Sequence, residues 1–278
     1  MHDLIMFVGD FLVDCGLILL YLIGSIVVVG LILGIFKNLI CQYMQYALGF
    51  GGILITAWIG TPIHELGHAL MCFVFHHKVR DVQLFNPDRT TGVLGYVNHS
   101  YNPKSIYQKI GNFFIGIAPI LSGTGVIMLL LAVLLPNECR DMMTAIKGFQ
   151  WPNEISFASL GVIKDSIAQL FGILFTQKNL KSVVFWIFMY LAVSISSHMA
   201  LSKADLKGAS SGIGAMYLII VIANIVIRLL HLNLQKIFVV YYFLNSYLIT
   251  MLTIAVFCSL CSLLLSLTLY AIKSTIVN

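Results

Sequence analysis

The chain of 278 residues is 59% hydrophobic and 10% charged, with a mean hydropathy of +0.96. Soluble globular domains contain about 45–50% apolar and about 25% charged residues, so this composition excludes an ordinary soluble domain and predicts a multi-pass integral membrane protein. The net charge of +5 is spread over loops without a basic run, which gives no indication of nucleic-acid binding.

Six apolar segments predict about six transmembrane helices, because about 20 helical residues cross the hydrocarbon of a bilayer. A polar insert at 137–182 separates the third segment from the fourth, and its stretch 155–176 is expected to form a helix at the membrane interface. We expect residues 1–278 to form one integral membrane domain, all-α apart from one small β element. The six segments cover about 16–36, 46–75, 110–135, 183–201, 212–230 and 238–272.

The second segment, about 46–75, contains the motif His64-Glu65-Leu66-Gly67-His68. Positions four apart share one face of a helix, so His64 and His68 can direct two imidazoles at one metal ion. Glu65 lies beside that ion, where a general base belongs. Ionisable groups in hydrocarbon cost about 3 kcal/mol each unless they are paired or bind metal. The motif therefore predicts a Zn²⁺ site inside the membrane.

Residues 78–100 follow this helix and have the pattern of a β-hairpin or small sheet. Short alternating apolar runs are separated by Asn86-Pro87-Asp88 and Thr91-Gly92, which favour turns. Open strand edges occur at membrane depth only where they are buried in protein or line a wet cavity. A sheet here therefore predicts a cavity next to the histidine helix.

A catalytic zinc site has three protein ligands, so another part of the chain must supply the third. The region 194–212 offers His198 and Asp205, which are seven residues apart and would face the same interior if one helix continued through both. Either residue is a candidate ligand on this reasoning.

Three other histidines have weaker signals. His76 and His77 adjoin Lys78 and are expected to be solvated residues at the membrane boundary. His99 lies in the β segment and could border the cavity.

Together these residues resemble the site-2 protease family of intramembrane zinc metalloproteases, over about 55–125 and 190–212. The resemblance includes the H-E-x-x-H helix, a β element with Gly92-Val93-Leu94-Gly95-Tyr96-Val97, and the small-residue segment Gly116 to Gly123. The family's second motif has an Asn eight residues before a metal-binding Asp that is followed directly by Gly. Asp205 matches that Asp, whereas Ser197 stands at the Asn position and Gly208 follows three residues after Asp205. The chain thus resembles a divergent member.

The resemblance implies hydrolysis of peptide bonds in membrane-associated proteins or peptides. It assigns His64, His68 and Asp205 as Zn²⁺ ligands and Glu65 as the general base. His198 would then be a catalytic partner that stabilises the oxyanion, or a rival ligand. A substrate made extended near the zinc could add to a strand edge of the β element.

Three other functions fit the same motifs. Intramembrane His, Glu and Asp also form ion or proton pathways in transporters, although the first, third and sixth apolar segments have almost no charges. A catalytically inactive membrane scaffold of the same fold is the second alternative, and zinc-dependent hydrolysis of a non-peptide substrate, such as a lipid amide, is the third.

Overall fold

The computed structural model describes residues 2–148, 168–230 and 234–277. Within these ranges the chain is mostly helical and contains one small sheet. Its elements, in chain order, are α1 His2–Leu48, α2 Phe50–Val74, β1 Lys78–Gln83, β2 Tyr96–Ser100, α3 Ile106–Leu134, α4 Pro136–Gly148, α5 168–174, α6 Gln177–Leu180, α7 Val183–Ser196, α8 Lys203–Leu229 and α9 Leu234–Val277.

Four of the described helices are long and apolar enough to cross a membrane, which is compatible with a membrane protein. The helix α7 has only 14 residues, and the ionisable residues of its motif lower the apolarity of α2. Of the predicted interfacial stretch 155–176, residues 155–167 lie outside the described part of the chain. The four candidate spans are Ile26–Leu48, Ile106–Leu134, Lys203–Ile227 and Leu248–Ile276.

The first helix is longer than the segment 16–36 that apolarity predicts. It continues through Lys37 to Leu48, because Lys37 lines an internal cavity and so need not end the helix at a membrane boundary. Gly49, with φ of 69°, then separates α1 from α2. This left-handed conformation strains residues with a Cβ, so glycine is well suited to the joint.

The helix α3 is at the centre of the packing and contacts α1, α2, α4, α7, α8 and α9. Its buried side chains, such as Ile117, Ile120 and Ile127, form one core with Phe185 and Phe188 of α7. The core therefore holds α2, α7 and α8 in fixed positions around α3, and the predicted site residues lie on α2, on α8 and on the connection between α7 and α8.

The predicted β element is confirmed as a two-stranded antiparallel hairpin. Lys78 pairs with Ser100 and Gln83 with Tyr96, with an irregularity between Val79 and Asp81. The connection is a compact loop in which the Asp88 carboxylate accepts hydrogen bonds from Thr90 and Thr91. These bonds, from Thr90 above all, lower the pKa of the Asp88 carboxyl to about 2.

Candidate metal centre

Two imidazoles of α2 converge on one point. The Nε2 atoms of His64 and His68 are 3.2 Å apart. Each ring is held through its other nitrogen, since His64 Nδ1 donates to the carbonyl oxygen of His198 at 2.7 Å and His68 Nδ1 donates to that of Ile115 at 2.8 Å. A carbonyl oxygen only accepts, so the neutral rings carry their proton on Nδ1 and a lone pair on Nε2. This is the tautomer that a metal-binding histidine needs.

Asp205 brings a carboxylate to the same point. Its Oδ1 is 3.2 Å from Nε2 of His68, and its Oδ2 is 3.9 Å from Nε2 of His64. One ligand atom from each of the three residues lies within 4.8 Å of the others. Of the two candidates for a third ligand, Asp205 is therefore the one whose side chain the fold brings to the two imidazoles.

The start of α8 explains the position of Asp205. The Ser202 backbone N–H donates to Oδ2 of Asp205 at 2.7 Å, and the Asp205 N–H donates to Ser202 Oγ at 3.1 Å. This reciprocal pair is a capping box, and a carboxylate in the first turn of a helix is also favoured by the helix dipole. The cap fixes the carboxylate while Oδ1 faces His68.

Close packing of α3 against α8 sets the distance between Asp205 and the histidines. A Cβ at Gly116 would lie 2.5 Å from the carbonyl oxygen of Asp205 and 2.7 Å from Cβ of Ala209. These contacts are too short for a real side chain and involve backbone, so only glycine at 116 permits the observed approach.

We expect Gly116→Ala to displace the first turn of α8, lower zinc occupancy and reduce stability by about 1–3 kcal/mol through overpacking. Gly125→Ala on the same helix is the matched control, because nothing lies within 4 Å of its added methyl. It should stabilise α3 by up to about 1 kcal/mol. Metal content and thermal unfolding of the two variants measure this difference, and equal behaviour of both would contradict the role given to Gly116.

Glu65 lies beside the three converging residues and faces a cavity of about 1040 Å³. Its side chain is 7% exposed. The loop before β2 covers it, since a Cβ at Gly95 would lie 3.0 Å from Cγ of Glu65. Lys37 and Arg89 also line the cavity. The site therefore opens on a partly charged chamber next to α2.

His198 is in a different position from the one that its spacing predicts. The helix α7 ends at Ser196 and α8 begins at Lys203, so His198 and Asp205 do not share one helix. The buried ring of His198 pairs through Nε2 with Thr56 Oγ1 at 3.1 Å. The backbone carbonyl of His198 contacts His64. The ring is thus outside the group of converging side-chain atoms, and His198 orients the His64 imidazole through its main chain.

We expect His198→Gln to retain most of the bound zinc, because the substitution leaves the carbonyl oxygen in place and an amide can still pair with Thr56. His64→Ala should lose the metal of this centre. Elemental analysis of the purified variants measures the difference. Loss of zinc from His198→Gln with unchanged thermal unfolding would instead make the ring a ligand.

The donor set fits zinc. Two lone pairs 3.2 Å apart beside a carboxylate repel one another unless a proton or a cation lies between them. Two imidazole nitrogens and one carboxylate oxygen, with a further position open to a cavity, are the ligand pattern of catalytic zinc sites. The three residues would hold the ion, and the carbonyls of His198 and Ile115 would keep their imidazoles in the binding tautomer.

The sequence prediction for His77 is wrong. His76 is exposed, but the side chain of His77 is only 6% exposed and lies close to those of Cys72 and His99. Among these residues only Cys72 carried a usable signal, since it follows His68 by four positions on the same helical face.

No family model, no curated protein and no solved structure matches this chain. The chemistry of the site is therefore inferred from the geometry of its residues.

Proposed function

We propose that the protein is an intramembrane zinc metalloprotease, similar to the site-2 protease family, that hydrolyses peptide bonds of membrane-associated substrates. The observation that carries the proposal is the convergence of His64 Nε2, His68 Nε2 and the Asp205 carboxylate beside a cavity. Structural zinc sites are closed by four protein ligands, whereas catalytic sites keep one position open. Three donors at the wall of a chamber favour catalysis.

The proposal includes α2 and α7 as membrane-spanning helices beside the four longer ones, which gives six spans. Large apolar side chains on both helices face outward, including Leu70 and Phe73 on α2 and Val183 and Ile187 on α7. An outward apolar surface is stable against lipid tails and costly in water. The site would then lie at membrane depth, reached by water through the cavity.

Each residue then has a chemical task. Zinc bound by the three converging residues would supply Lewis acidity, which lowers the pKa of a water molecule and polarises a carbonyl group. Glu65, next to the ligands but not among them, would accept the proton of the attacking water and deliver it to the leaving amine. His198 and Ile115 orient the ligating imidazoles through their carbonyl oxygens.

The hairpin offers a surface for an extended substrate. β2 and the loop before it line the cavity through residues such as Val93, Tyr96 and Val97, whereas no residue of β1 does so. A peptide that leaves the helical conformation needs new partners for its backbone groups, and a strand edge provides them. We therefore propose that the substrate adds to the cavity side of β2.

The test uses purified protein in lipid vesicles with a pool of synthetic single-span peptides and unfolded casein, and mass spectrometry detects new amino termini. Cleavage should disappear after chelation and return with zinc. His64→Ala should be inactive under the same conditions.

A protein that binds zinc but leaves every peptide intact would contradict the proposal. If divalent cations then entered the vesicles through the wild type and not through His64→Ala, the transporter alternative would replace it.

A further inference from the structure

A second group of metal-binding side chains lies just beyond the proposed catalytic ligands. It consists of Cys72 in the last turn of α2, His77 directly before β1, and His99 in β2. One ligand atom from each residue lies within 4.8 Å of the others. Cys72 and His77 are buried and His99 is half-buried. These residues have no part in the proposed hydrolysis.

The orientation of His77 is fixed from several sides. Its Nε2 donates to the carbonyl oxygen of Gln108 at 2.9 Å, which leaves the lone pair of the neutral ring on Nδ1. Its ring stacks on Tyr101 with centroids 5.3 Å apart. Its backbone N–H donates to the carbonyl of Cys72 at 2.8 Å. A histidine that binds metal through one ring nitrogen usually donates from the other nitrogen to a carbonyl or carboxylate group, as Nε2 of His77 does here.

The imidazole of His99 faces the Nδ1 atom that His77 leaves free. Nδ1 of His77 is 3.1 Å from Nδ1 of His99. Burial lowers the pKa of both imidazoles, which favours their neutral form. Neutral imidazole is the form that binds metal ions.

We propose that Cys72, His77 and His99 bind a second divalent cation of the zinc class, which ties the hairpin to the end of α2. A sulfur donor with two imidazole nitrogens selects zinc over magnesium and calcium, which prefer oxygen. The thiol would release its proton on binding. His99 borders the cavity, so water has access to the fourth position of a tetrahedral ion.

The rival arrangement is a simple hydrogen bond. If His99 carries its proton on Nδ1, it donates directly to Nδ1 of His77, and Cys72 is then an ordinary buried thiol. The two arrangements differ in metal content and in the presence of a metal–sulfur bond. The second site is independent of the proposed protease activity, because binding there requires no catalysis.

Cobalt substitution separates the two sites in the full-length protein. Co²⁺ bound by a thiolate gives an intense charge-transfer band in the near ultraviolet, which histidine and carboxylate ligands do not give. Wild type should bind two equivalents and show the band. Asp205→Asn should lose one equivalent and keep the band.

Cys72→Ser should lose one equivalent together with the band, whereas Cys258→Ser, which removes another buried cysteine, should retain both. X-ray absorption of the zinc form of Asp205→Asn should show one sulfur at about 2.3 Å from the metal. This measurement and the wild-type spectrum show whether the second site binds metal through sulfur, even if Cys72→Ser fails to fold.

A cobalt-loaded wild type without the band, or Asp205→Asn that binds no metal, would overturn the second site. Two equivalents with a thiolate band in a protein that cleaves no peptide would instead overturn the proposed function and leave this site standing.

Discussion

Glu65→Gln should lower the rate of peptide cleavage by about 10²–10⁴-fold, the usual contribution of a general base, without changing the zinc content. Glutamine has nearly the same shape and fits beneath the loop that carries Gly95, but its amide cannot accept the proton of water. The ligating atoms belong to other residues, so the metal should remain. Initial rates in the vesicle assay, with elemental analysis of the same samples, measure both quantities.

Glu138→Gln is the matched control, since Glu138 lies in α4 and does not line the cavity. It should cleave at the wild-type rate. If Glu65→Gln cleaved equally fast, the base would have to be another group. If it lost zinc, Glu65 would have to support the metal directly or through its neighbours.

Asp205→Asn should weaken zinc binding at the centre formed with His64 and His68 by more than about 100-fold, or about 2.7 kcal/mol, and abolish cleavage at limiting zinc. Loss of a residue that only orients a ligand costs about 10–100-fold, and here an anionic ligand itself is replaced by a neutral amide. The fold should change little, because the amide oxygen of asparagine can still accept from the Ser202 N–H at the start of α8. Competition with a chelator of known affinity gives the dissociation constant.

Asp141→Asn, at an exposed position on α4, controls for loss of one negative charge. Its zinc affinity should equal that of the wild type. An unchanged affinity in Asp205→Asn would show that the carboxylate is not a ligand. Reduced affinity together with a lower unfolding temperature of the metal-free protein would point to a broken α8 cap instead.

The sequence predicts one half of the site well and the other half only in part. The pair His64 and His68 is local, so helical spacing alone places both on one face. Asp205 depends on the break between α7 and α8, which apolarity does not reveal. A signal for that break was present, because Ser202 and Asp205 have the spacing of a capping box, which marks the start of a helix.

The burial of His77 could not be deduced from its neighbours along the chain. A histidine beside Lys78 has the pattern of a solvated boundary residue. The structure buries it because Tyr101 stacks on its ring and Gln108 accepts its proton. Both partners lie beyond the hairpin, and the contacts require the hairpin to return to α2.

The end of the first helix also could not be deduced from its neighbours along the chain. A lysine inside an apolar run usually marks the membrane boundary, so the predicted span stops before Lys37. The helix continues because the side chain faces the cavity. Whether a charged residue ends a membrane span therefore depends on whether its side chain faces lipid or a cavity. The sequence of one segment does not contain that information.

Two of the groups that aim the histidines are main-chain oxygens, at positions 115 and 198, and this has a consequence for mutational scans. Every amino acid carries the same main-chain oxygen. Side-chain replacements at these positions will therefore test packing and will not remove the oxygen that orients each histidine ring. Only a change to the polypeptide itself, such as an ester in place of the peptide link after residue 198, would weaken that acceptor and expose its contribution.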